Sequence, residues 1–126
     1  MWTYKQSTGE LFRDGRYQAH GYSGRDWGKN NPDAQAAPGI GPIPTGRWRM
    51  AEMRDSASVG PHCIVLHARD GTPGDDRHDT TGRAAFRIHG DSIAQPGSAS
   101  HGCIILSRAT RLALWRSGDH DLEVVP

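Results

Sequence analysis

Glycine and proline set the terms for this chain. With 16 glycines and 8 prolines in 126 residues, its apolar residues are cut into short pieces. Such punctuation suits short strands joined by many turns, not a helical bundle. Only 35% of the residues are hydrophobic, and no apolar run approaches the ~20 residues that cross a bilayer as a helix. The length fits one domain with its own core, so residues 1–126 are read as a single unit. A formal net charge of +1, from 15 basic and 14 acidic residues, gives no electrostatic reason to expect nucleic acid or membrane insertion as a partner. Lysine occurs only at Lys5 and Lys29, and the remaining arginines present forks that suit carboxylates.

The fold class expected is mainly β. Trp2 and Tyr4 alternate with polar neighbours, Ser7-Thr8-Gly9 turns the chain, and Glu10–Arg13 follows as a second strand. Asp14-Gly15 is a strong hairpin signal into Arg16–Ala19. From Gly21 to Gly46 there is little periodicity, and a loop of that length is commonly functional or mobile. Strands are expected at Arg47–Met53, at Pro61–Ala68, at Arg83–His89 and at Asp121–Val125, with one short helix capped by Ser107 and ended by Gly118. Asp70, Asp75, Asp76 and Asp79 lie in a stretch, Arg69 to Gly82, that reads as a solvated acidic loop without the ligand spacing of an EF-hand.

Chemistry concentrates between Phe86-Arg87-Ile88-His89-Gly90 and Ser98-Ala99-Ser100-His101-Gly102-Cys103. A histidine ends an apolar strand, a Gly/Ser/Pro loop follows, and the chain returns on a cysteine. A thiol becomes a nucleophile when a base stands near it and donors await the oxyanion. His89 is the candidate base, Cys103 the candidate nucleophile, and the main-chain N–H groups at Gly102 and Cys103 the candidate donors. Arg87 shares a strand face with His89. Arg108 and Arg111 fall early in the helix, close to the cysteine in sequence. Asp91 or a backbone carbonyl would orient His89. Cys63 lies in an apolar run and reads as a packed core thiol, so both cysteines are expected to be free. His62 and His67 would point to opposite faces, and His20, His78 and His120 receive no role.

On these residues the chain resembles the YkuD-type L,D-transpeptidases: Ile88-His89-Gly90, a gap, then Ser100-His101-Gly102-Cys103-Ile104. With Tyr22-Ser23-Gly24, Lys29-Asn30-Asn31-Pro32 and Gly41-Pro42-Ile43-Pro44 added, it resembles a smaller group, the type VI secretion L,D-transpeptidase effectors. Many YkuD-type members carry arginine two residues after the cysteine, where this chain has Ile105. The resemblance implies a β-sandwich or barrel of short strands with the helix after the cysteine. It implies a cysteine enzyme that cleaves the meso-diaminopimelate–D-alanine bond of peptidoglycan tetrapeptide stems, by hydrolysis or D-amino-acid exchange, without cofactor or metal. His101 joins Cys103, His89 and Gly102 as catalytic; Ser100, Ser98, Gly90, Arg87 and Arg108 become candidate substrate contacts. Implied partners are stem peptides, secretion machinery and a cognate immunity protein. No basic-then-apolar leader opens the chain, which fits delivery by injection and action in the periplasm of a target bacterium. Alternatives are a housekeeping enzyme remodelling its producer's own wall, a non-catalytic binding module, and a zinc site from His89, His101 and Cys103. A papain-like or NlpC/P60-like peptidase would reverse the order of cysteine and histidine.

Overall fold

The computed structural model describes residues 1–71 and 75–126. The first three strands are β1 (Trp2–Lys5), β2 (Glu10–Arg13) and β3 (Arg16–His20). Asp14 and Gly15 turn the chain between the last two with φ of 49° and 81°, the mirror-image turn that matches the twist of a hairpin. A two-residue strand, β4 (Tyr22–Ser23), follows, then the long hairpin β5 (Gly46–Ser56) and β6 (Gly60–Ala68). The chain closes with β7 (Arg87–His89), β8 (Ile104–Ile105), the helix α1 (Arg108–Arg116) and β9 (Asp121–Val125). Among the described residues, the nine strands join one mixed sheet in the order β3-β2-β1-β9-β5-β6-β7-β8-β4. The β1–β9 and β7–β8 pairs are parallel and the rest antiparallel.

The two edge strands of that order, β3 and β4, are separated by Gly21 alone, so the sheet curls until its ends meet. Gly21 donates its N–H to the Gly9 carbonyl at 2.8 Å. A side chain here has no room, since a Cβ on Gly21 would lie 1.7 Å from the Ile105 carbonyl oxygen. Inside the curl, alternate residues form the core: Trp2 and Tyr4 of β1, Trp48 and Met50 of β5, Ile64 and Leu66 of β6, Ile88, Ile104, Leu122 and Val124. Period-two alternation with one face buried fixes the register, because a one-residue slip would exchange every inward side chain. Trp48 anchors this core, fully buried, with Nε1 donating to the Pro44 carbonyl at 3.0 Å and Phe86 edge-on at 5.2 Å.

Most expected elements are present, with two changes. The strand expected over Arg83–His89 is strand only from Arg87. Ala85 adopts φ 64°, a left-handed conformation that breaks a pleat, so Arg83–Phe86 runs as irregular chain. The segment Gly21–Gly46 is no free loop. It contains β4 and two 3-10 turns, Asp26–Gly28 and Pro32–Ala34. It is tied to the core where Gln6 Nε2 donates to the Ile43 carbonyl and the Ile43 N–H donates to Ser23 Oγ, each at 2.8 Å. The helix begins and ends as its sequence predicts: Ser107 Oγ accepts the Thr110 N–H, and Gly118 follows with φ 73°. Asp76 and Asp79 of the acidic loop are exposed, and residues 72–74 of that loop lie outside the described residues. Among the described residues no helix is long and apolar enough to cross a membrane.

Candidate active site

Parallel pairing of β7 with β8 sets Ile88 beside Ile104 and His89 beside Ile105. Ile88 and Ile104 point into the core, so by alternation His89, Arg87 and Ile105 share the other face, and Cys103 sits at the bend just before β8. Cys103 stands two residues before Ile105, the residue paired with His89, so the thiol and the imidazole come from adjacent segments. On the far side of His89, antiparallel pairing of β6 with β7 extends its register to bring Cys63 opposite the histidine. Cys63 is fully buried, as its apolar run predicts, and by alternation with Ile64 lies on the histidine's side of the sheet. Cys63 and Cys103 stand two strands apart, about 10 Å or more, beyond the ~7 Å limit for a disulfide. Both are free.

His89 is 4% exposed, and its Nδ1 lies 2.8 Å from the Gly90 carbonyl oxygen. A carbonyl only accepts, so Nδ1 carries the proton and the neutral ring keeps its lone pair on Nε2. The orienting group is thus the backbone. Asp91 is engaged elsewhere, accepting from the Tyr22 hydroxyl at 2.5 Å and from the Ser92 and Gly97 amides. That network braces the loop between histidine and cysteine, with the Ala99 N–H donating to Tyr22 Oη and Lys29 stacked over the Tyr22 ring. Burial, then the Asp91 bond, pushes the Tyr22 phenol up to about 12.

Burial pushes the two reactive groups toward neutrality. It lowers His89 below its ordinary 6.5, helped by Arg111 and Arg87 and opposed by the Gly90 carbonyl. It raises the Cys103 thiol above its ordinary 9.0, opposed by the Arg87 amide and by the charges of Arg87 and Arg83. The thiol sits 3.8 Å from the Ala85 carbonyl oxygen. Among the described residues it has no hydrogen bond to the imidazole.

The turn carrying the thiol is held from behind by Ser100, which has no exposed surface. Its Oγ accepts the Gly24 N–H at 2.8 Å and the Gly102 N–H at 3.1 Å, and donates to the Cys103 carbonyl at 2.6 Å. Ser100 therefore shapes the loop and is not available to a ligand, and the Gly102 N–H is occupied. Ser23 Oγ adds a bond to the Gly102 carbonyl at 2.8 Å. Gly102 has φ 139°, and a Cβ there would lie 2.5 Å from Arg83 Nη2 and 2.9 Å from Phe86, so no other residue fits.

A cleft of about 310 Å³ opens on Cys103, lined by Pro38, Gly39, Arg83, Ala85, Phe86 and His101. The expected substrate contacts do not gather in it. Gly90 and Arg108 line a separate hollow of about 590 Å³ with Tyr22, Ile105 and Arg111. Arg87 lines a third, of about 490 Å³, with Glu52, His67, Asp75 and Asp76. Ser98 is exposed in the Asp91 loop, its Oγ donating to the Gln95 carbonyl. Arg111 is buried and donates to the Pro61 and His62 carbonyls. What sequence reasoning missed is Arg83, whose guanidinium donates to the carbonyls of Gln35, Pro42, Gly41 and His101. Its only sequence signal was an arginine at the head of a strand that does not form there.

Among the described residues no group of three or more histidine, cysteine and acidic side chains could hold a metal ion. A family model described as the Tlde1 domain matches residues 17–125, from β3 through β9. No curated protein matches the chain, and no solved structure does.

Proposed function

The chain belongs to the Tlde1 domain family, that of the type VI secretion L,D-transpeptidase effectors, and from that membership we propose a cysteine enzyme of YkuD type acting on peptidoglycan tetrapeptide stems. His89 Nε2 takes the proton from Cys103 Sγ, and the sulfur attacks the carbonyl at the L-centre of meso-diaminopimelate. The developing oxyanion meets main-chain donors at the cysteine turn, with the Cys103 N–H the first candidate because Gly102 is engaged by Ser100. The tetrahedral intermediate expels D-alanine, whose amine recovers the proton from His89, and leaves a thioester on Cys103. Water resolves it as L,D-carboxypeptidase chemistry; a D-amino acid or the amine of a second stem resolves it as exchange or cross-linking.

The observation that carries this reading is the β7–β8 pairing. It sets His89 opposite Ile105, two residues after Cys103, and the Gly90 carbonyl holds Nδ1, which supports Nε2 as the base. As effectors the family's members are secreted into target cells. We extend this to action on the wall in the target's periplasm, with antibacterial effect and an immunity protein protecting the producer. The test is mass spectrometry of a purified disaccharide-tetrapeptide after incubation with the protein and with Cys103→Ala. Loss of one D-alanine with the wild type alone supports the assignment, and added D-amino acid would report exchange. An untouched tetrapeptide with folded, reduced protein would sink it.

A further inference from the structure

Arg83 is a cation where a cation is costly. It is 8% exposed, and no carboxylate pairs with it among the described residues. Burying an unpaired guanidinium carries a desolvation penalty that neutral acceptors repay only in part. Four carbonyls, from Gln35, Gly41, Pro42 and His101, take the four Nη hydrogens at 2.7–3.2 Å. The guanidinium also lies 5.0 Å from the Phe86 ring. Phe86 in turn packs against Trp48, so the group is seated on the core. Arg83 lines the same cleft as Cys103 and His101, and its Nη2 lies against the glycine that precedes the thiol.

We propose that Arg83 is a positioning residue for the nucleophile: its fork fixes the His101–Gly102 turn, and its charge is the preorganised counter-charge for the Cys103 thiolate and for the substrate oxyanion formed when the sulfur adds to a carbonyl. This rests on Cys103 being the nucleophile. When the proton leaves Sγ for His89 Nε2, the electron pair stays on sulfur, and the buried cation gains the partner it otherwise lacks. A fixed charge aimed where negative charge develops needs no reorganisation during the reaction. Because every Nη hydrogen is engaged, Arg83 acts as a field and not as a substrate ligand.

Besides Arg83, Arg87 and Cys63 act on the sulfur, and His101 lines its cleft. Arg87 offers its amide and a second positive charge, but its side chain lines the hollow that holds Glu52, Asp75 and Asp76. Cys63 approaches from β6 and His89 from β7, the one adding a like charge only if ionised, the other acting as the base.

The test reads the thiol directly. Iodoacetamide alkylates the thiolate, forming an S–C bond and releasing iodide, and peptide mass mapping assigns the label to Cys103. Followed against pH, alkylation of folded Arg83→Met should be about tenfold slower than wild type near neutrality, the effect of losing one neighbouring charge. Arg83→Lys, which keeps the charge but not the fork, should recover most of the alkylation rate while kcat on tetrapeptide stays low. A folded Arg83→Met with the wild-type profile, or an Arg83→Lys as slow as Arg83→Met, overturns the proposal. A measurement on the wild type removes any dependence on folding of the variants. The ¹H–¹⁵N signals of the Arg83 side chain should move with the midpoint of the alkylation profile, and stay fixed over that range in Cys103→Ser. Signals that ignore the thiol titration overturn it too. If tetrapeptide is untouched while alkylation and spectra behave as stated, the substrate assignment falls and the Arg83–Cys103 coupling stands.

Discussion

His89 and Cys103 are both driven toward their neutral forms by burial. On the proposed mechanism, the proton then passes from sulfur to the ring as the thiol attacks. The base must be unprotonated, and activity should therefore rise with pH through a midpoint below the ordinary 6.5 of histidine. His89→Gln should lower kcat by about 10²–10⁴-fold, the usual range for a general base, and flatten that acid limb in a kcat/KM profile. An unchanged limb would assign the titration to another group. The same shift links to stability, with its sign fixed by which state binds the proton. Above 6.5 neither state is protonated at His89; as pH falls through 6.5 the unfolded chain takes up a proton that the folded one resists. Stability is thus lost from 6.5 down to the lowered folded value, and urea midpoints against pH should show this loss in wild type but not in His89→Gln.

At the scale of elements, the cysteine turn is held by side chains that belong to other segments. Ser100 joins three backbone groups, from Gly24, Gly102 and Cys103. Ser100→Ala would leave buried polar groups unpaired, each at about 1–3 kcal/mol, and should lower the urea midpoint and kcat together. By contrast Ser107→Ala removes only the helix cap, worth about 1 kcal/mol, and should leave kcat nearly unchanged. The elements were legible where local chemistry decides them. Asp14-Gly15, Ser107 with Gly118, and the alternating Asp121–Val125 segment each carry their own instructions. The short strand β7 was not legible in full, because Ala85 turns left-handed at a point that neither propensity nor pattern marks. Nor was the seating of Ser100 and Arg83: both depend on carbonyls or amides 40 or more positions away, at Gly24, Gly41 and Pro42. The spacing of His89 and Cys103 could be read as chemistry, whereas the scatter of Gly90, Arg108, Arg87 and Ser98 away from the cleft required three dimensions.

The whole molecule is a sheet whose closure and whose reactive strands meet at one point. Gly21 joins the two edge strands and presses against the Ile105 carbonyl, the residue paired with His89 across β7 and β8. Gly9 presses from the opposite side, where a Cβ would fall 1.9 Å from the Gly21 carbonyl oxygen. Backbone faces backbone at both contacts, so neither can yield by a change of rotamer. Gly21→Ala must push β8 outward or open the edge, and overpacking of this kind costs about 1–3 kcal/mol or more. For a domain of this size each kcal/mol lowers the melting temperature by roughly 4 °C. The displaced strand follows Cys103 directly and pairs with the strand of His89, so on the proposed mechanism kcat should fall along with the melting temperature, even at temperatures where the variant stays folded. Gln18→Ala, an exposed substitution on the neighbouring strand β3, should stay within about 0.5 kcal/mol of wild type and keep full activity. Melting curves and tetrapeptide turnover on the two variants separate the possibilities. A Gly21→Ala protein that melts lower but turns over normally when folded would mean that closure stabilises the sheet without setting the register of the active strands; a fall in both ties the site to the curl of the sheet.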